Sequence, residues 1–194
     1  MYPNVYFDHK VEVRGEALMQ FLTALPTGQS SRAKILEKHG VTPESGHWYP
    51  MPNVVEAYHE IGHSVGDKTL FMLGKGVATS VPFPPGTTIK YALMGVNYGY
   101  HMNHRLGGKP MFDPVKKELI EGIGAYQLVS FDQQERRAVI NCTNPYPSKF
   151  DEGVLMQVLR LQKPQDSIKQ HVELDTTKPM RDHGGNSCTF ILTW

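Results

Sequence analysis

The apolar positions follow a helical rhythm in the first half of the chain and a strand rhythm in much of the second. Residues 14–25, RGEALMQFLTAL, put Ala17, Leu18, Phe21, Leu22 and Leu25 on one helical face, and Pro26 stops the run. The preceding VYFDHKVEV alternates as a strand does, and SRAKILEKH (31–39) reads as a short helix ending at Gly40. From Asn53, read as a cap, Val54, Val55, Tyr58, Ile61 and Val65 recur at three- and four-residue intervals and define an amphipathic helix that Gly66 closes. Asp67 can cap the next helix, KTLFMLGKGVA, whose Phe71, Met72 and Leu73 are expected to face the interior until PFPP breaks the chain. TTIKYALMGVNYGYHMNHR (87–105) fits neither period from end to end and is read as a helix followed by a turn or strand.

Two alternating stretches, AYQLVSF (125–131) and RAVIN (137–141), joined by polar DQQER, predict a hairpin. Ser148 with Asp151 three residues on has the spacing of a capping box, and Phe150, Val154, Leu155, Val158 and Leu161 give the following helix its apolar face before Pro164. KQHVEL and CTFILTW are the closing strands. The back half thus reads strand, strand, helix, strand, strand.

Composition narrows the function. The 194 residues amount to about one domain, taken as 1–194, and 20 Lys and Arg against 19 Asp and Glu give a formal charge of +1. That balance supplies no general attraction to nucleic acid or anionic membrane. No apolar run approaches the roughly 20 residues needed to span a bilayer. The N-terminus lacks the pattern of a secretory signal, and Cys142 and Cys188 make no disulfide framework, so a cytoplasmic protein is expected.

One motif invites an enzyme. His59-Glu60-Ile61-Gly62-His63 matches H-E-x-x-H, in which two His one helical turn apart bind zinc and the Glu serves as base. A catalytic zinc takes a third protein ligand, however. The extended motif fails at Thr69, and no Glu occurs between His63 and Glu118. A zinc-dependent hydrolase through His59, Glu60 and His63 is therefore the alternative, and a solvated outer helix face is preferred.

The landmarks GHWYP, LFMLGKGV, YHMNHR, INCTNPYPSKFDEGVL and GGNSCTFILTW occur in an order that resembles the four-vinyl-reductase-like domain superfamily, whose fold is shared with signalling sensor domains and vesicle-tethering subunits. The resemblance covers most of residues 40–194. It implies an α/β (α+β) fold, an antiparallel sheet of about four to five strands packed against helices, dimer formation, and a small apolar molecule held between helices and sheet without catalysis. Some such domains carry zinc on a Cys-rich set. Here only Cys142 and Cys188 remain, with His171, Glu173 or His183 as substitutes, and two buried free thiols are preferred.

The residues themselves also suggest a pocket. Trp48, Tyr49, Phe71, Met72, Phe83, Tyr91, Met94, Tyr98, Tyr100 and Met102 crowd one region together with His101 and His104, the apolar and polar mixture of a ligand site. Trp48 and His101 are expected to grip the ligand's polar edge if the resemblance holds. Haem is the cofactor variant, with His101, Met102 or His104 as axial ligand. Output would pass through a homodimer or a separate protein. A tethering protein with a solid core is the remaining alternative.

Overall fold

The computed structural model describes residues 5–194. Strand β1 (Glu12–Arg14) leads directly into α1 (Gly15–Thr23), which buries Leu18 and Phe21. The buried Arg32 of α2 (Gln29–Lys38) ties down the end of α1 and the turn after it: its guanidinium donates to the carbonyl of Leu22 (2.9 Å), one that the helix end leaves unpaired, and to those of Leu25 and Thr27 (2.8 Å) in the turn. Then follow β2 (Trp48–Pro50), α3 (Met51–Val65), α4 (Asp67–Thr79) and α5 (Ile89–Met102). The expected strand over residues 5–13 is confined to β1, and α3 begins two residues before Asn53. That side chain lies inside the helix and donates to the His39 carbonyl instead of capping.

After α5 come β3 (His104–Leu106), β4 (Lys109–Pro110), β5 (Phe112–Asp113), β6 (Glu118–Leu119), β7 (Tyr126–Asp132), β8 (Arg137–Cys142), α6 (Ser148–Gln162), β9 (His171–Leu174) and β10 (Cys188–Thr193). Two antiparallel four-stranded sheets result. One, β2-β1-β3-β4, knits the N-terminal strand to the segment after α5; the other has the order β7-β8-β10-β9, so the last strand sits between β8 and β9. The expected hairpin is β7–β8, with a register irregularity between Leu128 and Ser130. An α+β fold with antiparallel sheets against helices is what the pattern predicts, and one continuous core joins the helices to the second sheet.

Helices α4 and α6 approach unusually closely because glycines face each other. A Cβ on Gly153 would collide with the Phe71 carbonyl, and one on Gly74 with the Phe150 carbonyl. In α4 the buried residues are Leu70, Leu73, Gly74 and Ala78. Phe71 is only half-buried and Met72 exposed, contrary to the expected inward face, since the close glycine contact turns the helix to present its small side. Gly153→Ala is expected to cost about 1–3 kcal/mol by forcing these backbones apart; urea denaturation measures it.

The predicted capping box at α6 is absent. Ser148 donates to Asp182 (2.6 Å), and Asp151 is fully buried, aimed at Arg181 rather than at its own helix end. No helix among the described residues is long and apolar enough to cross a membrane.

Candidate functional site

A cavity of about 150 Å³ lies where α1, α3, α4, α5 and α6 meet the inner face of the second sheet. Its walls are mostly apolar: Val13, Ala17, Val77, Val96, Phe150, Val154 and Val158 line it. Gln20 and Val81 are exposed and Phe83 half-buried, which puts the mouth between α1 and the segment joining α4 to α5.

The polar lining consists chiefly of four tyrosines and one histidine: Tyr58, Tyr100, Tyr126, Tyr146 and His104. Burial pushes the phenols of all four tyrosines up from their ordinary value, so they remain protonated donors. Three hydroxyls are engaged. Tyr100 donates to the Ile123 carbonyl (2.6 Å), Tyr126 to Asp151 (2.5 Å), and Tyr146 meets His104 Nε2 (3.0 Å). The fourth, on Tyr58, makes no hydrogen bond among the described residues. Nor does it count among their sealed-off unpaired atoms, and Tyr58 is one of the residues that line the cavity.

His104 is fixed by two contacts. Its Nδ1 lies 2.6 Å from the Tyr100 carbonyl, which can only accept, so the proton sits on Nδ1 and Nε2 accepts from the Tyr146 hydroxyl. Burial lowers its pKa to about 4, against the pull of the Tyr100 carbonyl, and the ring is neutral at neutral pH.

Behind the phenols lies a buried polar network. Asp151 accepts from Tyr126, from Asn144 Nδ2 (3.1 Å) and from Arg181 Nη2 (2.5 Å), and Arg181 also donates to both oxygens of Asn144 and to Cys188 Sγ (3.4 Å). Tyr146 is tied into it, since its backbone N–H donates to Asn144 Oδ1 (2.9 Å). Burial pushes the Asp151 carboxyl up while Arg181 pulls it back; desolvation acts to lower Arg181, but the Asp151 carboxylate beside it raises it and holds it charged.

Of the residues the sequence singled out for a ligand, Phe83, Tyr100 and His104 line the cavity. His101 is buried elsewhere, with Nδ1 on the Asn97 carbonyl (2.8 Å). Trp48 lies in β2 under the Arg105 guanidinium (4.6 Å to the ring), and Tyr49 donates to the Thr42 carbonyl. Tyr98 stacks on Phe112, while Met72 and Met102 are exposed and Phe71 half-buried.

Tyr58, Tyr126, Tyr146, Gly95 and Gly99 also line the cavity, and the spacing along the chain does not mark them as lining residues. A tyrosine on an apolar face was the available signal, because its hydroxyl must find a partner or a ligand.

The zinc expectations do not survive. No group of three or more His, Cys, Asp or Glu side chains among the described residues is placed to hold a metal. Cys142 and Cys188 are buried thiols on paired strands, whereas His171 and Glu173 are exposed on β9 and bond to each other (3.2 Å). On α3, His59 Nε2 bonds the Pro145 carbonyl (3.0 Å), Glu60 is turned to Lys38 and His39 (2.8 Å each), and His63 is exposed. The H-E-x-x-H spacing therefore gathers no metal set: His59 is packed against the Pro145 carbonyl rather than on the solvated face expected of it, Glu60 is bonded to Lys38 and His39, and His63 is exposed.

No protein-family model matches the sequence, and no curated protein is detectably similar to it. Solved structures do match. One from work on haem distortion in the H-NOX family is 12% identical over 93% of this chain and 94% of that one, with a TM-score of 0.61. An oxygen-binding H-NOX domain related to soluble guanylate cyclases is 11% identical over 93% and 94%, TM-score 0.59. An H-NOX protein from S. oneidensis in its Fe(II)NO ligation state is 15% identical over 92% and 97%, TM-score 0.57.

At these identities the likeness is one of fold, and it spans nearly the whole chain. The fold is that of H-NOX domains, not the four-vinyl-reductase-like fold that the landmark order resembled. Landmark order misleads because helices, a central His-rich turn and a closing strand in that succession suit more than one α+β topology.

Proposed function

We propose that this protein is a non-catalytic, sensor-type domain that holds a small apolar or aromatic molecule in the cavity between its helices and its second sheet. The observation that carries this reading is the cavity itself: a largely apolar chamber with a few placed polar groups is the form of a binding site. Its size, about 150 Å³, equals that of an engineered cavity of roughly 150 Å³ that takes benzene or xenon. Catalysis has little support there. The titratable groups facing the cavity are held neutral by burial, and none is poised to exchange a proton near pH 7. Occupancy would be felt by Tyr126 and Tyr146, and through them by Asn144, Asp151 and Arg181, with a second copy of the chain or a separate output protein as reader.

Haem is the second reading, favoured by the fold relatives and by one observation of this chain. His104 presents the arrangement of a metal-binding imidazole, Nδ1–H on a backbone carbonyl and the Nε2 lone pair facing inward. The space, however, does not fit. A cavity of about 150 Å³ is well below the roughly 300–1,000 Å³ of ordinary cofactor pockets, and Tyr146 occupies the Nε2 lone pair. Haem binding therefore requires Tyr146 to leave His104 and the chamber to widen.

Mass spectrometry of what copurifies with the native protein, paired with its visible absorption spectrum, separates the readings. The expected result is a colourless protein with a small apolar passenger or affinity for one. A Soret band lost in His104→Ala would establish haem instead.

A further inference from the structure

The cavity's wall along α5 includes a strip of bare backbone beside Val96 and Tyr100. Gly95 and Gly99, one helical turn apart, both line it, and a Cβ added at either would have nothing within 4 Å. This sets them apart from other helical glycines here. Gly74, Gly76 and Gly153 sit where a Cβ would strike a neighbouring backbone, so packing demands them. At Gly95 and Gly99 packing demands nothing, and each weakens the helix relative to Ala. What these two glycines preserve is empty space along one face of α5.

A second observation bears on the same chamber. Tyr58 is 95% buried, its relative exposure being 5%, and it lines the cavity, yet its hydroxyl has no hydrogen bond among the described residues. Phe21 stacks on the ring at 3.8 Å between centroids, and the Phe150 and Tyr146 rings crowd it at 5.7 and 5.2 Å, which limits the directions in which the hydroxyl can turn. Burial keeps that phenol protonated, so it is a donor that no acceptor among the described residues engages and that a molecule in the cavity can meet.

We infer that the cavity takes a planar, single-ring aromatic molecule that lies flat against the Gly95–Gly99 backbone of α5 and carries a hydrogen-bond acceptor for the Tyr58 hydroxyl. The inference rests on the small-molecule reading above and narrows it. A flat ring exploits the side-chain-free strip at Gly95 and Gly99 as a puckered ring cannot, because axial hydrogens hold the latter away from the backbone. The volume admits one ring. The acceptor engages the one tyrosine hydroxyl of the cavity lining that is unpaired among the described residues.

Four probes of similar size test this by calorimetry and thermal shift on the full chain: phenol, toluene, cyclohexanol and methylcyclohexane. Phenol is expected to bind most tightly, toluene measurably, and the two puckered rings at least tenfold more weakly than their flat counterparts. Tyr58→Phe should erase the preference for phenol over toluene while toluene binding persists. Gly95→Ala and Gly99→Ala should each raise the ligand-free Tm by roughly 2–4 °C, the helix gain, while weakening phenol at least tenfold. Equal binding of flat and puckered rings would overturn the inference and leave the small-molecule reading standing. Failure of all four to bind would overturn both. Glycine variants that lose Tm would show that packing, not a ligand, requires those positions.

Discussion

Arg181→Met is expected to destabilise the fold by about 3–5 kcal/mol, because it strands the Asp151 carboxylate in a fully buried site. For a chain of this size that is roughly 6–20 °C in Tm. The cost is not the worth of the pair but the penalty of leaving one buried charge without its partner. Asp151→Leu combined with Arg181→Met should therefore recover part of the loss, even though Tyr126 and Asn144 then lose an acceptor. Urea denaturation at pH 7 of the two single variants and the double variant measures this cycle. A single-variant loss under 1 kcal/mol would mean that water reaches the pair. Because Tyr126 touches both the cavity and Asp151, the same variants should also weaken binding of any cavity ligand.

The second large effect is a loss of stability in acid. His104 has its pKa lowered from 6.5 to about 4 by complete burial. Between those values the unfolded chain holds a proton that the folded chain refuses, so stability rises with pH through that window. The contribution is fully present above pH 6.5, is lost as pH falls towards 4, and changes no further below that. Its size is about 3 kcal/mol, from a shift of roughly two and a half units at 1.36 kcal/mol each. His59 and His101, also lowered by burial, add to the wild-type slope in the same sense. The difference between wild type and His104→Phe isolates His104. The variant should start less stable, with Tyr146 left unpaired, but lose about 3 kcal/mol less between pH 6.5 and 4. Parallel stability–pH curves for the two proteins would refute the assignment.

Both effects depend on residues whose roles were not readable from spacing. Asp151 stands three positions after Ser148 and so looks like a cap, but the chain brings Arg181, thirty residues away, to within 2.5 Å of its carboxylate. His104 and Tyr146 are forty-two residues apart. Trp48 and His101 had the chemistry of ligand grips, yet β1–β2 pairing places Trp48 under Arg105 and the helical turn of α5 aims His101 away from the cavity. Conversely Tyr58 is visible as one apolar position among five on α3, and only the tertiary structure reveals that its hydroxyl lacks a partner among the described residues.

Periodicity determined the elements whose stability is local: the amphipathic faces of α1, α3 and α6, the β7–β8 hairpin, and the closing strand that carries Phe190 and Leu192 into the core. It did so because burying an apolar stripe constrains residues a few positions apart, and that spacing is written in the chain. The tertiary structure alone decided which fold those elements adopt, that α4 and α6 meet through glycines, and that Gly95, Gly99, Tyr58 and His104 face one cavity. These are relations between residues far apart in sequence, set by how helices and sheets pack, and no local pattern encodes the space that packing leaves open.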